Sequence, residues 1–373
     1  MESIKKGLFI SLSNYVKSGF GGVQRCTREY LEVIEAAGWD LEVVPYEIDR
    51  RWKSRLLRKL KPSIFHNRIS PFFISALCDR IKAENIPWVF LNQVDALPIA
   101  SQLRRANPNL KIILLSHGAQ FVDDFLAISD SNSLHQGKRS LLANTVLDEM
   151  NFRKELDHVF TLSEQEVAFE RWLGAKSVSW LPRTISPKPL EWKPTAGRVG
   201  FVGTLEHPPN YNGLFEVLSG LQNQDKFDGC VRIVSNSKKL GNYLEKCFPF
   251  VNYLGSLDAN ALQVEAASWC WFIHPLFCWS RGCSTKLADA LEWQIPILTT
   301  DAGCRGYTWR EGNLTILNEV EEFSSFLCVP TLEDVMIAAK KESTLASDTS
   351  PNINDVSLRA KLLLENKISS KKI

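Results

Sequence analysis

Residues 274–306 read HPLFCWSRGCSTKLADALEWQIPILTTDAGCRG and alternate between short apolar runs and glycine-containing polar loops. The pattern predicts a strand that ends at His274, a loop around Gly282, a helix over Thr285–Trp293 and a strand over Pro296–Thr299. A strand that leads through a glycine loop into a helix is the building unit of doubly wound parallel sheets. The stretch therefore predicts a Rossmann-like region with a ligand site at the carboxyl ends of its strands.

The loop and the first turn of this helix carry side chains suited to a diphosphate. Unpaired backbone N–H groups and the helix dipole favour an anion at a helix N-terminus. Lys286 adds a positive charge, and Asp289, three residues later on the same face, can accept hydrogen bonds from ribose hydroxyls. The alternative is an exposed salt bridge between these two residues with no functional role. Further candidate groups are the cation Arg281, the backbone at Gly282, and the hydroxyls of Ser284 and Thr285.

The same alternation extends through the rest of the chain. A strand over Gly7–Leu12 leads through a glycine-rich loop, residues 18–22, into a helix over Val23–Ala37. A second series begins with a strand at Arg198–Val202, and the proline-rich segment Pro182–Pro194 between the two series predicts a linker. The other predicted strands are Leu41–Tyr46, Trp88–Asn92, Lys111–Ser116, His158–Leu162, Val231–Ser235, Val251–Leu254 and Trp271–His274, and the other predicted helices are Glu164–Leu173, Tyr211–Gly220 and Ala259–Ser268.

The length of the chain, 373 residues, predicts more than one domain, because single hydrophobic cores stop growing at about 250–300 residues. The predicted fold class is α/β, with two tandem Rossmann-like doubly wound domains facing across a cleft. We place the N-terminal domain at residues 1–185, the C-terminal domain at residues 186–345 and a tail at residues 346–373.

Composition excludes several classes of protein. A net charge of +2 gives no global basic field of the kind that nucleic-acid-binding proteins use. Nine cysteines without a CxxC pair predict reduced thiols and no zinc cluster. The sequence has no D-x-D pair for a divalent metal, and the N-terminus lacks the apolar segment of a signal peptide. Because no apolar run reaches the length of about 18–20 residues that spans a bilayer, we expect a cytoplasmic protein.

The motifs resemble those of GT-B glycosyltransferases, especially the family-4-like group. That group has a recurring pattern of the form P-L-x-x-G-x-x-x-K-L-x-E-A-x-x-x-x-x-P-V-V-x-T-x-x-G. The present chain is similar over about thirty residues, with the matching residues Pro275-Leu276, Gly282, Lys286-Leu287, Asp289-Ala290, Pro296-Ile297-Leu298-Thr299-Thr300 and Gly303.

Three further segments extend this resemblance over most of residues 7–306. Phe201-Val202-Gly203-Thr204 is similar to the opening strand of the family's nucleotide domain, where the following loop approaches the donor. Gly21-Gly22, with Arg25 on the next helix, resembles the N-terminal glycine loop near the donor phosphates. Thr161-Leu162-Ser163-Glu164 resembles the end of the N-terminal domain. A dinucleotide motif, G-x-G-x-x-G, would instead need glycine at the position of Gln24.

The resemblance implies a nucleotide-sugar donor held by the C-terminal domain, an acceptor held by the N-terminal domain, and transfer with retention and without a metal or other cofactor. It implies that Gly21, Gly22, Gly203 and Thr204 lie near the donor, and that a tail helix near Ser357–Glu365 crosses back to the N-terminal domain. The chain departs from the family at three places. It has Asp289 where glutamate is usual, Arg281 where many members have a second glutamate, and Thr204-Leu205 where others have arginine and lysine.

His117 follows the predicted strand Lys111–Ser116 and should lie at the carboxyl edge of the first sheet. In the resemblance a histidine in this region contacts the transferred sugar, so we take His117 as a candidate catalytic residue together with Lys286 and Arg281. The alternative is a histidine that is hydrogen-bonded at a strand end. Asp95, after another strand, is either an acceptor contact or a helix cap.

Residues 50–61, RRWKSRLLRKLK, contain no acidic residue, and their apolar side chains recur at helical spacing. A basic amphipathic helix of this kind can lie on an anionic membrane surface, which would suit a lipid-linked or phosphate-bearing acceptor and a peripheral position at the inner face of a membrane. The alternative is an ordinary solvated helix whose apolar face packs in the core.

The sequence therefore predicts a glycosyltransferase that moves a sugar from a nucleotide-sugar donor to a glycan, a lipid-linked or another acceptor. Two alternatives remain at this point. One is an epimerase or hydrolase of nucleotide sugars on the same scaffold, and the other is an inactive GT-B relative that acts as a binding subunit.

Overall fold

The computed structural model describes residues 5–17, 21–60, 65, 68–129, 136–224, 226–308, 315–328 and 333–369. Within the predicted glycine-rich loop, residues 18–20 lie outside the described residues, as does position 61 of the basic segment. The chain divides into two units. Unit 1 contains Met1–Thr184 and Pro351–Ile373, and unit 2 contains Ile185–Ser350.

The strands are short and rich in β-branched and leucine residues, as buried parallel strands are. The predicted strands of both series appear within one or two residues of their predicted ends, and β6 is an addition. The strands are β1 (Lys5–Leu12), β2 (Trp39–Tyr46), β3 (Trp88–Asn92), β4 (Lys111–Leu115), β5 (His158–Thr161), β6 (Val178–Trp180), β7 (Arg198–Val202), β8 (Cys230–Val234), β9 (Val251–Gly255), β10 (Trp271–His274) and β11 (Ile297–Thr299).

Helices alternate with the strands along most of the chain, and a 3-10 helix covers Val94–Ile99. The α-helices are α1 (Ser13–Val16), α2 (Gly22–Ala36), α3 (Trp52–Leu60), α4 (Pro71–Ala83), α5 (Ala100–Ala106), α6 (Gln120–Ser129), α7 (Gln136–Arg153), α8 (Glu164–Trp172), α9 (Pro208–Gln224), α10 (Lys238–Cys247), α11 (Ala259–Ala266), α12 (Thr285–Trp293), α13 (Asp301–Cys304), α14 (Val320–Cys328), α15 (Glu333–Thr349) and α16 (Ile353–Ser369).

Unit 1 is built on a parallel sheet with the order β2-β1-β3-β4-β5-β6. The chain moves from β1 to β2 in one direction and then to β3 on the other side of β1. The carboxyl ends of β1 and β3 therefore form the switch point where doubly wound sheets bind ligands. The central strands are fully buried, as at Phe9, Ile10, Phe90 and Leu91.

The tail helix α16 packs against α2 of unit 1. Its buried face contains Val356, Ala360 and Leu364, and its Glu365 forms an ion pair with Lys5 at the start of β1. The tail helix therefore belongs to unit 1.

Unit 2 is built on a second parallel sheet, with the order β11-β10-β7-β8-β9. From β7 the chain moves through β8 to β9, and then crosses to β10 and β11 on the other side. The switch point of this sheet lies between the carboxyl ends of β7 and β10. Gly203 follows β7, and the loop 275–284 connects β10 to α12.

The proline-rich segment predicted as a linker is extended and packs on unit 2 over much of its length. The backbone N–H groups of Lys188 and Leu190 donate to the carbonyls of Glu292 and Trp293, at 2.7 and 3.1 Å. Trp192 donates from its indole N–H to the carbonyl of Trp269 at 2.7 Å. These contacts place the segment from Ile185 onward within unit 2.

In the described part of the chain, we find no helix whose length and hydropathy would let it cross a membrane.

Candidate functional site

Lys286 reaches the switch point of unit 2. It lies in the first turn of α12, and its amino group lies beside Gly203, the residue that follows β7. A Cβ atom placed on Gly203 would lie 2.8 Å from Lys286 Nζ and 3.0 Å from Cε, so a side chain at this position would displace the lysine. The structure therefore brings together two predicted donor-site residues that are 83 positions apart in the sequence.

The amino group of Lys286 lies in cationic surroundings. The side chain is partly accessible, but desolvation of the amino group and the neighbouring Arg305 together lower the pKa of Lys286 from 10.5 to about 7. Among the described residues, Lys286 has no hydrogen-bond or ion-pair partner. The exposed Lys286–Asp289 salt bridge that the spacing also allowed is therefore not formed. An amino group in this state gains stability from any anion that binds beside it.

Arg305 holds the loop between β10 and α12. The guanidinium is buried and donates to the carbonyl of Gly282 at 3.0 Å, to the hydroxyl of Ser280 at 2.6 Å and to the carbonyl of Ala302 at 2.6 Å. Gly282 has a φ of 71°, a conformation that glycine adopts without strain. The loop is thus fixed by one cation, whose charge also acts on Lys286.

His274, the last residue of β10, connects the strand to the start of α12. Its Nε2 lies 2.9 Å from the hydroxyl of Ser284, the N-cap residue of α12, and its Nδ1 lies 3.2 Å from the hydroxyl of Thr299. Burial first, and then the charges of Lys286 and Arg305, lower the pKa of His274 well below 6.5. The ring is therefore neutral.

The hydrogen bonds around His274 also assign its tautomer. Thr299 donates its hydroxyl proton to the His274 carbonyl at 3.1 Å, so its oxygen accepts from Nδ1–H and Nε2 accepts from Ser284. Ser284 thus donates its hydroxyl proton to His274 Nε2. The sequence had instead suggested this hydroxyl as a hydrogen-bond donor to a phosphate.

The other predicted residues of unit 2 lie around this site. Thr204 is exposed, and its carbonyl accepts from the Asn210 side chain at 2.9 Å. Thr285 and Asp289 are partly buried positions of α12, and Arg281 is a partly buried residue of the preceding loop.

His207, in the loop after Gly203, lies in the same positive field. Its pKa falls to about 4, first through desolvation and then through the charges of Lys286, Arg305 and Arg281. Cations on α12, on the loop before it and on the segment after β11 thus act on one small region.

His117 lies at the carboxyl edge of the unit 1 sheet and is nearly fully buried. Its Nε2 is 2.9 Å from the side-chain oxygen of Asn92, the last residue of β3. The amide nitrogen of Asn92 donates in turn to the hydroxyls of Ser11 and Thr27, at 2.9 and 3.0 Å. A hydrogen-bonded row therefore links the ends of β1, β3 and β4 to α2.

The loop that carries His117 rests on a buried ionic network. Ser116 donates its hydroxyl to Glu170 at 3.0 Å, and Gln120 donates its backbone N–H to Glu149 at 3.0 Å. Arg153 joins the two carboxylates, with its Nε 2.8 Å from Glu170 Oε2 and its Nη2 3.2 Å from Glu149 Oε1. Both ends of the loop are thus anchored by charged groups without access to solvent.

Asp95 is bound by side chains and does not cap a helix. It lies in the 3-10 helix after β3, where it accepts from the Tyr15 hydroxyl at 2.8 Å and from Arg68 Nη1 at 2.6 Å. Nearby, Gln93 has a φ of 70° although it is not glycine, and its side chain is buried. Such strained conformations occur most often at binding and catalytic sites.

Gly21 and Gly22 form the start of α2. Gly21 is the N-cap residue and accepts the backbone N–H of Arg25 at 3.0 Å, and Gly22 is the first helical residue. Both are exposed.

Three residues of these sites, Arg305, His274 and Asn92, were not singled out by the sequence. Arg305 has a visible signal, because it stands between Gly303 and Gly306 in the second glycine loop. For His274 and Asn92, the only signal in the sequence is their position at the ends of predicted strands.

The chain is similar to known proteins in its structure. No model of a known protein family matches the chain, and no curated protein sequence matches it. A glycosyltransferase from Rickettsia africae superposes with a TM-score of 0.62 at 14% identity, over 99% of each chain. HepE of Anabaena, solved in complex with UDP and glucose, gives 0.58 at 13% identity, over 98% of this chain and 100% of that one.

An E. coli trehalose-6-phosphate protein bound with UDP-2-fluoro glucose gives a TM-score of 0.61 at 13% identity, over 99% of each chain. Similarity over nearly the whole length confirms the fold class predicted from the sequence, two tandem Rossmann-like α/β domains. The chain has the GT-B fold of the glycosyltransferases that it resembles.

Proposed function

We propose that the protein transfers a sugar from a nucleotide-sugar donor to an acceptor, without a metal ion or other cofactor. The observation that carries the proposal is the amino group of Lys286, which lies at the switch point of unit 2 without a counter-ion among the described residues. A diphosphate beside it would restore the protonated state of the lysine and occupy the place where doubly wound sheets bind nucleotides. UDP and UDP-sugars in structural neighbours with the same fold are consistent with this chemistry.

The donor-side roles follow from charge and position. Lys286 and the N-terminus of α12 bind the diphosphate, while Arg305 fixes the loop and adds a positive field. As the sugar leaves, negative charge grows on the diphosphate, and preorganised cations stabilise that charge in place of a metal. Asp289 is assigned to the ribose and Arg281 to the phosphates or the sugar.

Three residues of unit 1 also receive roles in the proposal. His117 is held in one orientation by Asn92 and is assigned to the reacting sugar. Gly21 and Gly22, at the start of α2, are assigned to the donor phosphates. Retention of the anomeric configuration is part of the proposal, since the resemblance to family-4-like enzymes implies it, and NMR of the first-formed product tests it.

Contact with a membrane through residues 50–61 is a further part of the proposal. Trp52 is 69% exposed, and Leu56 and Leu57 are also exposed, so the apolar face of α3 does not pack in the core at these residues. Basic residues surround them, which suits the anionic inner face of a membrane. We therefore assign a glycan or lipid-linked acceptor and a cytoplasmic, peripheral location.

The experiment is calorimetric titration of the protein with UDP, GDP, dTDP and CMP in EDTA, followed by the matching nucleotide sugars. The wild type, Lys286→Met and the exposed control Lys238→Met are compared. We expect one nucleotide to bind the wild type and the control, and Lys286→Met to lose affinity by at least tenfold. Binding that depends on added divalent metal, or equal binding by all three proteins, would overturn the donor-site assignment. Binding without turnover toward any acceptor would instead favour the binding-subunit alternative.

A further inference from the structure

Unit 1 contains a cavity of about 590 Å³ whose wall is mainly apolar. The volume falls in the range of about 300–1,000 Å³ that small-molecule sites occupy. The cavity lies between α4, α5, the 3-10 helix and the end of α7, and its apolar wall includes Phe65, Ile69, Ile74, Cys78, Pro98 and Phe152.

The cavity also has polar groups. Arg68, which pairs with Asp95, lines it, and so does Gln102. The side-chain oxygen of Gln102 is buried and has no hydrogen-bond partner among the described residues. Apolar volume and this small set of polar groups form the arrangement that amphiphilic ligands require.

The polar groups connect the cavity to the ligand-binding edge of the sheet. Arg68 donates to Asp95 at 2.6 Å, and Asp95 lies just after β3, at the switch point of unit 1. A molecule with its apolar chain in the cavity and its head at Arg68 would thus have that head at the edge where Asp95 accepts from Tyr15.

The wall of the cavity continues into an apolar and basic surface. Pro71 lines the cavity, and the next residue, Phe72, is 76% exposed. The Arg51 guanidinium lies over the Phe72 ring at 5.2 Å, and α3 follows Arg51 directly. Arg51 is paired with Asp49, so the excess positive charge of this surface comes from Lys53, Arg55 and Arg58 of α3. Such charge beside exposed apolar side chains favours an anionic amphiphile over a neutral one.

We propose that this cavity binds the apolar chain of an anionic, phosphate-bearing amphiphile, with the phosphate at Arg68. That this amphiphile is the sugar acceptor rests on the proposed function, whereas the binding itself does not. Apolar surface supplies most of the affinity. Arg68 supplies the preference for a phosphate head, which would take the place of the Asp95 carboxylate that now pairs with Arg68 at 2.6 Å.

The test uses dodecyl phosphate, decyl phosphate and neutral dodecyl maltoside below their micellar concentrations, without nucleotide. Calorimetry should show tighter binding of dodecyl than decyl phosphate by about 15-fold, since each buried methylene adds about 0.8 kcal/mol. Cys78→Trp, which fills the cavity, should reduce dodecyl phosphate binding at least tenfold. Phe72→Ser, which changes only the surface, should retain most of the affinity for dodecyl phosphate. Arg68→Met should weaken binding of the phosphate more than binding of the maltoside.

A second readout needs no variant. Bound dodecyl phosphate should slow maleimide alkylation of Cys78, mapped by mass spectrometry, and leave that of the half-buried Cys247 in unit 2 unchanged. Two results would refute the proposal that the cavity binds the alkyl chain. One is unchanged Cys78 alkylation at saturating dodecyl phosphate, and the other is binding by Cys78→Trp equal to that of the wild type. Equal affinities for dodecyl phosphate and dodecyl maltoside would refute the claim that the site prefers an anionic head group. Lys286→Met should bind dodecyl phosphate normally, so failure of the nucleotide site and failure of the cavity give different results.

Discussion

Replacing Lys286 by methionine should stabilise the nucleotide-free protein while it removes nucleotide binding. In the folded protein the pKa of Lys286 is about 7, against 10.5 for an ordinary lysine, because desolvation and Arg305 oppose the charged form. Between these two values the unfolded chain binds one more proton than the folded chain. The free energy of unfolding therefore rises with pH across that window, and the full cost of the lysine is present below about pH 7.

The magnitude follows from the pKa difference. The whole difference corresponds to about 5 kcal/mol, and since the Lys286 side chain is partly accessible, solvent screening reduces this figure. We expect Lys286→Met to raise the free energy of unfolding by about 2–5 kcal/mol at pH 6. Methionine keeps the apolar stem of the lysine, so packing changes little. The gain should shrink by about 1.4 kcal/mol for each pH unit above 7.

The assay is urea unfolding at pH 6, 7.5 and 9, followed by total tryptophan fluorescence, to which the buried Trp269 and Trp271 of unit 2 contribute. Lys238→Met, at an exposed position in the same unit, is the matched control and should change little at any pH. A Lys286→Met protein that is less stable than wild type at pH 6, or whose difference from wild type does not vary with pH, would refute the reasoning.

Two further substitutions test the packing of the sites. Gly203→Ala should weaken nucleotide binding about tenfold in calorimetry, because its Cβ would lie 2.8 Å from the amino group of Lys286 and would also press on the buried Phe201 ring at 3.1 Å. Gly137→Ala, with open space around its Cβ, should bind normally. Arg153→Met should lower the free energy of urea unfolding by about 3–5 kcal/mol at pH 7, since it leaves two buried carboxylates unpaired. The loss should be smaller at pH 5, and Arg171→Met on the exposed face of α8 should show neither effect.

Local patterns were sufficient to predict the sheet architecture. Buried parallel strands such as Trp88–Asn92 are short apolar runs, and stops such as Gly38 and Gly174 mark the ends of helices, so periodicity predicts them directly. The helix α9 is longer than predicted, Pro208–Gln224 in place of Tyr211–Gly220. Its first turn begins with two prolines, and proline is tolerated there because its missing N–H has no helical partner.

The site was predictable only where its residues lie close in sequence. Gly282, Ser284 and Lys286 belong to one loop and helix, so a motif reveals them. The contact of Lys286 with Gly203 depends on the pairing of β7 with β10, and the cationic role of Arg305 depends on the fold of the loop after β11. Pairings of this kind are set by tertiary packing, and a single sequence carries no local trace of them.

The same limit explains the cavity and the basic helix. The spacing of Trp52, Leu56 and Leu57 indicates an amphipathic helix, but whether its apolar face is covered depends on its neighbours in the fold. The cavity beside Arg68 collects residues from segments 65–78, 98–102 and 152, and no pattern along the chain indicates that they leave space between them.

The central claim, sugar transfer from a nucleotide sugar without a metal, is tested most directly by nucleotide release. Wild type, Lys286→Met and Lys238→Met are incubated in EDTA with UDP-, GDP-, dTDP- and CMP-sugars, with and without a phosphate-bearing lipid acceptor, and free nucleotide and sugar products are measured. The account predicts release from one donor by the wild type and the control, faster with the acceptor, and lost in Lys286→Met. Release that requires a divalent metal, or that proceeds equally in Lys286→Met, would contradict it.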